Sequence, residues 1–144
     1  MSVDSLYTEV IMSHNRSGHN KHIIKEASHI ERGHNPNCGD DLALSVRIED
    51  EKIVDAAFTG SGCAISQASM SIMIDMVKGK TLSEAKRLVD DFLDMVRGVK
   101  LDASSLEHLE DALIFEGLSK MPARVKCGTL GWHCLSVILA KSTE

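Results

Sequence analysis

Residues 41–59 read DLALSVRIEDEKIVDAAFT, and their pattern decides the class of fold. Leu42, Leu44, Val46 and Ile48 alternate with Ala43, Ser45 and Arg47. A period of two puts one set of side chains on one face of a pleated chain, so the stretch is a half-buried strand. Glu49-Asp50-Glu51-Lys52 is a turn, and the β-branched and aromatic residues from Ile53 to Thr59 form a second strand. The two make a hairpin. A further strand around Ser28–His34 is signalled more weakly.

Downstream of the hairpin the period changes. Ile65, Ala68, Ile72, Met73 and Met76 recur at three and four, which predicts a helix over 64–77. Lys78-Gly79 ends it, and Thr81-Leu82-Ser83-Glu84 is a capping box opening a helix that runs to about Arg97. Residues 105–117 read as a third helix, and Pro122 sits at the first position of a fourth ending near Ala140. Upstream, Leu6, Val10 and Ile11 predict a short amphipathic helix over 4–13, followed by the polar loop HNRSGHNKH (14–22). Met70, Met73 and Met76 form a stripe that belongs to core packing. At 144 residues the chain is long enough for one domain with a real core, over 1–144, and too short for two comfortable ones.

A net charge of −5, a pI near 5.8 and no basic stripe argue against a nucleic-acid partner. The first residues hold no basic segment followed by an apolar core, and the longest apolar stretch, LSVILA (135–140), is too short to span a bilayer. A cytoplasmic protein with no membrane partner is therefore expected. In a reducing cytosol, the four cysteines serve as metal ligands or reactive thiols rather than disulfides. Five of the seven histidines (His14, His19, His22, His29, His34) lie in the first 34 residues without tight ligand spacing, and read as solvated loop residues.

Three cysteines stand at special places. Cys38 lies in NPNCGD (35–40), where Gly39 can take unusual dihedrals and let Cys38 and Asp40 turn toward a common point. Cys63 follows Gly60-Ser61-Gly62 at the start of the 64–77 helix, where unpaired N–H groups favour a thiolate. Cys127 lies in the second turn of the last helix, after Lys120, Arg124 and Lys126. Three thiolates and one carboxylate match the donor set of a tetrahedral zinc site, and could equally hold iron or part of an Fe–S cluster. Spacing alone is also consistent with three unrelated thiols. Cys134 follows Cys127 by seven residues, about 10.5 Å along a helix, too far to share a metal or a disulfide with it. It reads as core.

NPNCGD, GSGCAIS (60–66) and PARVKCGTLGW (122–132), in this order, resemble the NifU/IscU-like scaffold family, and in particular its SufU branch. IscU-like proteins carry a His before their third cysteine, whereas this chain has Lys126. SufU-like proteins have extra residues between the second and third cysteines, and here 63 residues separate Cys63 from Cys127. The segment HNRSGHNKH and the presence of Cys134 depart from the family pattern.

The resemblance implies an α+β, SufE/NifU-like fold: a small antiparallel sheet with helices packed on one side and a metal site at one end. It implies zinc held by Cys38, Asp40, Cys63 and Cys127. It also implies a SufS-type cysteine desulfurase as partner, with Cys38 as sulfur acceptor and Arg124 as an assisting charge. The expected function is a zinc-dependent persulfide sulfurtransferase for iron–sulfur cluster assembly, delivering to a Suf scaffold or to apo-proteins. The alternatives are a scaffold on which a [2Fe–2S] cluster is built and transferred, and a structural zinc module. The acidic segment Asp102–Glu116 reads as a solvated face, with desulfurase docking as the competing use.

Overall fold

The computed structural model describes residues 3–36 and 39–142. Helix α1 (Val3–Ser17) leads to strands β1 (His29–Asn35), β2 (Asp40–Glu49) and β3 (Lys52–Ser61). Helices α2 (Ala64–Val77), α3 (Leu82–Val96) and α4 (Ala103–Glu107), a 3-10 helix (Glu110–Lys120) and helix α5 (Pro122–Ser142) follow. The strands form an antiparallel sheet in the order β1-β2-β3. Leu42, Leu44 and Val46 are fully buried while Ala43, Ser45 and Arg47 are half-buried, as the period of two requires. Glu49 pairs with Lys52 across Asp50 and Glu51, whose φ angles of 51° and 62° make a two-residue hairpin turn of the kind that matches strand twist. The weakly signalled first strand is present, and its last residue, Asn35, pairs with Asp40, the first of β2.

The buried face of the sheet is covered by α5, lying along β1 and β2, and by α2 against β3. Helix α2 is buried nearly all round, including Met70, Met73 and Met76, which marks it as the central helix. Its buried serines each find a partner. Ser69 Oγ donates to the Gly128 carbonyl (2.6 Å) and accepts from Trp132 Nε1 (3.0 Å), which ties α2 to α5. Trp132 stacks on Phe92 of α3 at 4.0 Å, so three helices meet at one aromatic pair. The Thr81–Glu84 capping box is formed in both directions. Among the described residues no helix is long and apolar enough to cross a membrane.

Two expectations are corrected. The third helix is broken: α4 ends at Glu107, Glu110 has φ 47°, and the chain continues as a 3-10 helix. Leu109, Ala112, Phe115 and Leu118 are the buried residues there, a strict spacing of three. Only three residues per turn puts all of them on one face, and that burial selects the 3-10 form. The loop expected from residue 14 begins later, because α1 runs to Ser17. His14, on α1, is half-buried with Nδ1 2.7 Å from Ser71 Oγ, and His19 pairs with Asp75 at 2.7 Å. Both histidines fasten the N-terminal segment to α2; His14 departs from the solvated-loop expectation, whereas His19 lies exposed in the turn after α1, as expected.

Candidate metal centre

Asp40, Cys63 and Cys127 come from three elements: the start of β2, the residue before α2, and the second turn of α5. One donor atom from each lies within 4.8 Å of the other two. A tetrahedral ion with sulfur at about 2.3 Å spaces its donors about 3.5–3.8 Å apart, so small inward movements bring all three onto one cation. Asp40 is fully buried and Cys127 nearly so, at 3% exposure, while Cys63 is half-buried. The site sits at the end of the sheet where β2 begins and β3 ends, and Cys63 is the most exposed of the three donors.

Asp40 carries the clearest sign of a missing partner. Its Oδ1 accepts the Cys63 N–H at 2.8 Å and the Ser66 hydroxyl at 2.9 Å. Its Oδ2 is buried and accepts nothing among the described residues. A buried carboxylate oxygen without a donor is costly, and a cation beside it removes that cost. The residues thus fit a divalent ion that takes thiolate and carboxylate donors.

The local sequence explains each placement. Cys63 is the N-cap of α2, with extended dihedrals, and its sulfur accepts the Ser66 N–H at 3.4 Å. Gly62 is required by close approach: a Cβ there would lie 2.6 Å from Ser66 Oγ and 2.8 Å from Asp40 Oδ1. Gly39, next to Asp40, has φ +70°, the conformation expected of it. Cys127 is held because the next carbonyl, that of Gly128, is bonded to Ser69 on α2.

Of the four residues that the sequence puts forward as ligands, the structure brings Asp40, Cys63 and Cys127 together. Cys38 lies outside the described residues; it belongs to the connection 36–39 that joins the paired residues Asn35 and Asp40. Arg124 is exposed one turn before Cys127. Cys134 is buried, as expected, with its thiol pKa pushed up to about 11 by burial and by the charge of Glu31. Two residues escaped the sequence reading. Ser66 bridges Asp40 and Cys63, and the buried Asn35 donates through Nδ2 to Cys127 Sγ at 3.9 Å. Their positions, three after Cys63 and three before Cys38, were the available signal.

Comparison with known proteins agrees with this geometry. Residues 6–128 match the NifU-like N terminal domain. The chain is 38% identical over 140 residues to the zinc-dependent sulfurtransferase SufU of Bacillus subtilis (strain 168), covering 97% of this chain and 93% of that protein. It is 37% identical over 142 residues to the iron–sulfur cluster assembly scaffold protein IscU of Streptococcus pyogenes serotype M1, covering 99% and 87%. Its fold superposes with a TM-score of 0.85 on the crystal structure of SufU from Fervidobacterium islandicum AW-1, at 36% identity over 94% of this chain and 97% of that one. By sequence over most of its length, the chain belongs to the NifU-like N-terminal-domain family, whose members similar to it carry SufU and IscU names of iron–sulfur cluster assembly.

Proposed function

We infer that this protein is a zinc-dependent persulfide carrier that takes sulfur onto Cys38 from a SufS-type cysteine desulfurase and passes it toward iron–sulfur cluster assembly. The observation that supports it best is the buried Asp40 Oδ2, without a hydrogen-bond partner among the described residues, beside the thiols of Cys63 and Cys127. Cys38, Asp40, Cys63 and Cys127 would hold the ion, which when bound keeps thiols deprotonated near neutral pH without redox chemistry of its own. The similarity to a relative named as a zinc-dependent sulfurtransferase favours this metal and this activity.

The chain's own residues divide the work. Cys63 is anchored at the cap of α2, Cys127 lies inside α5, and Asp40 is tied by two donors. Cys38 stands in the sequence between Pro36 and Gly39, a composition typical of loops, where a ligand exchanges without breaking an element. As a thiolate it attacks the terminal sulfur of the desulfurase persulfide. A new S–S bond forms on Cys38, the donor's S–S bond breaks, and the desulfurase cysteine leaves as a thiolate, so no outside oxidant is needed. Arg124, exposed one turn before Cys127, supplies positive charge near the thiolates during the exchange. A reducing cytosol is the setting that keeps such thiols active, and a Suf scaffold or apo-proteins would receive the sulfur.

The second reading is a scaffold that assembles a [2Fe–2S] cluster on the same residues, favoured by the similarity to a relative named IscU. One experiment separates them. The purified protein is analysed for metal, then incubated with desulfurase and cysteine, and the added sulfur is mapped by peptide mass spectrometry. Colourless protein with one zinc and sulfur on the Cys38 peptide is expected. Brown protein containing iron, or sulfur mainly on Cys127, would overturn the carrier reading in favour of the scaffold.

A further inference from the structure

The two oxygens of Asp40 have unlike surroundings, and Ser66 is responsible for much of the difference. Oδ1 accepts from the Cys63 N–H and the Ser66 hydroxyl at 2.8 and 2.9 Å, whereas Oδ2 is buried without a donor among the described residues. The hydroxyl has a second acceptor within reach, the Cys63 carbonyl at 3.0 Å. That carbonyl already accepts from the Gln67 N–H, and the bond to the charged carboxylate is the stronger one. Ser66 is itself fully buried, and its backbone N–H donates to Cys63 Sγ at 3.4 Å. One residue therefore touches an acid and a thiol of the same centre.

We propose that Ser66 is a positioning residue: it commits Oδ1 of Asp40 to the protein and so presents Oδ2 alone to the metal, while its N–H orients Cys63. This rests on the metal-site reading given above. A carboxylate oxygen has two lone-pair sites, and on Oδ1 both are taken. The metal then meets a carboxylate that cannot turn to offer both oxygens. Without the hydroxyl, one lone pair of Oδ1 is released and only the Cys63 N–H restrains the carboxylate. Partners in this outer position typically change metal affinity by about 10–100-fold.

The test must separate positioning from simple loss of a buried hydroxyl. Ser71 supplies the control, since it is buried on the same helix and bonds the His19 carbonyl, Asn20 and His14, far from the donors. Full-length wild type, Ser66→Ala and Ser71→Ala are stripped of metal and reloaded with cobalt(II) or zinc. The cobalt ligand-field spectrum, the rate of zinc loss to a chelator, zinc affinity and the melting of the metal-free chains are measured. Ser66→Ala is expected to bind zinc about 10–100-fold more weakly, with shifted cobalt bands. Ser71→Ala should lower metal-free melting to a similar degree and leave both metal readouts at wild type. Wild-type cobalt bands and zinc loss in Ser66→Ala, or equal changes in the two variants, would overturn the proposal. A wild type that binds no cobalt would instead remove the metal-site reading beneath it.

Discussion

Gly62→Ala is the perturbation whose effect follows most directly from the structure. Gly62 lies outside the left-handed region, so the added methyl acts through contact alone. It would stand 2.6 Å from Ser66 Oγ and 2.8 Å from Asp40 Oδ1, and neither atom is the end of a flexible chain. Both are buried and bonded to each other at 2.9 Å. Forcing them apart costs about 1–3 kcal/mol as overpacking. Losing a hydrogen bond to a charged group costs about 1.5–3 kcal/mol. The two are not additive, because breaking the bond relieves the overlap, and a total of about 2–3 kcal/mol results. For a chain of this size that lowers the melting temperature by roughly 5–10 °C. Metal content should fall with it, since the displaced carboxylate is a proposed ligand. Thermal unfolding and zinc analysis of Gly62→Ala are compared with Gly117→Ala, where a Cβ meets nothing within 4 Å and no loss is expected. Wild-type melting and full zinc in Gly62→Ala would refute the claim that this contact is tight and that Asp40 is held by it.

Two further outcomes follow. Burial holds the His14 pKa below its ordinary 6.5, outweighing the attraction of Asp75, so the unfolded chain protonates first as pH falls. Its contribution is full above that value and is lost as pH drops through the folded one. His14→Gln should therefore flatten the fall in melting temperature between about pH 7 and 5, and an unchanged slope would assign the acid loss to other groups. Cys134, with its pKa pushed up to about 11, should be the slowest of Cys63, Cys127 and Cys134 to alkylate in native metal-free protein near pH 8. Peptide-resolved labelling checks this, and Cys134→Ala should keep its metal; rapid modification or metal loss would contradict the core assignment.

The elements that the sequence made legible are those whose signal is local. The alternation of Leu42, Leu44 and Val46 needs only the geometry of one strand, and the Thr81–Glu84 box only one helical turn. The break at Glu110 was harder to read, although the spacing of Leu109, Ala112, Phe115 and Leu118 is present in the sequence. A run of threes is compatible with an α-helix until packing requires every member on one face. His14 departed from the solvated-loop expectation for a related reason. Whether His14 meets Ser71 depends on how α1 lies on α2, 57 residues away, and nothing near residue 14 encodes it.

For the candidate centre, the sequence by itself determined the candidate donors and their local posture: thiols at Cys63 and Cys127, a carboxylate at Asp40, a glycine on the flank of each, and a helix start behind Cys63. Those properties are set by residue type and by neighbours within a turn. Only the tertiary structure decided that the three donors meet within 4.8 Å, that Ser66 occupies one carboxylate oxygen, and that Asn35 reaches Cys127 across 92 positions. These contacts exist because β2, α2 and α5 converge at one end of the sheet. That convergence is set by burial of side chains remote from the site, among them Trp132 on Phe92, which no spacing of cysteines can report.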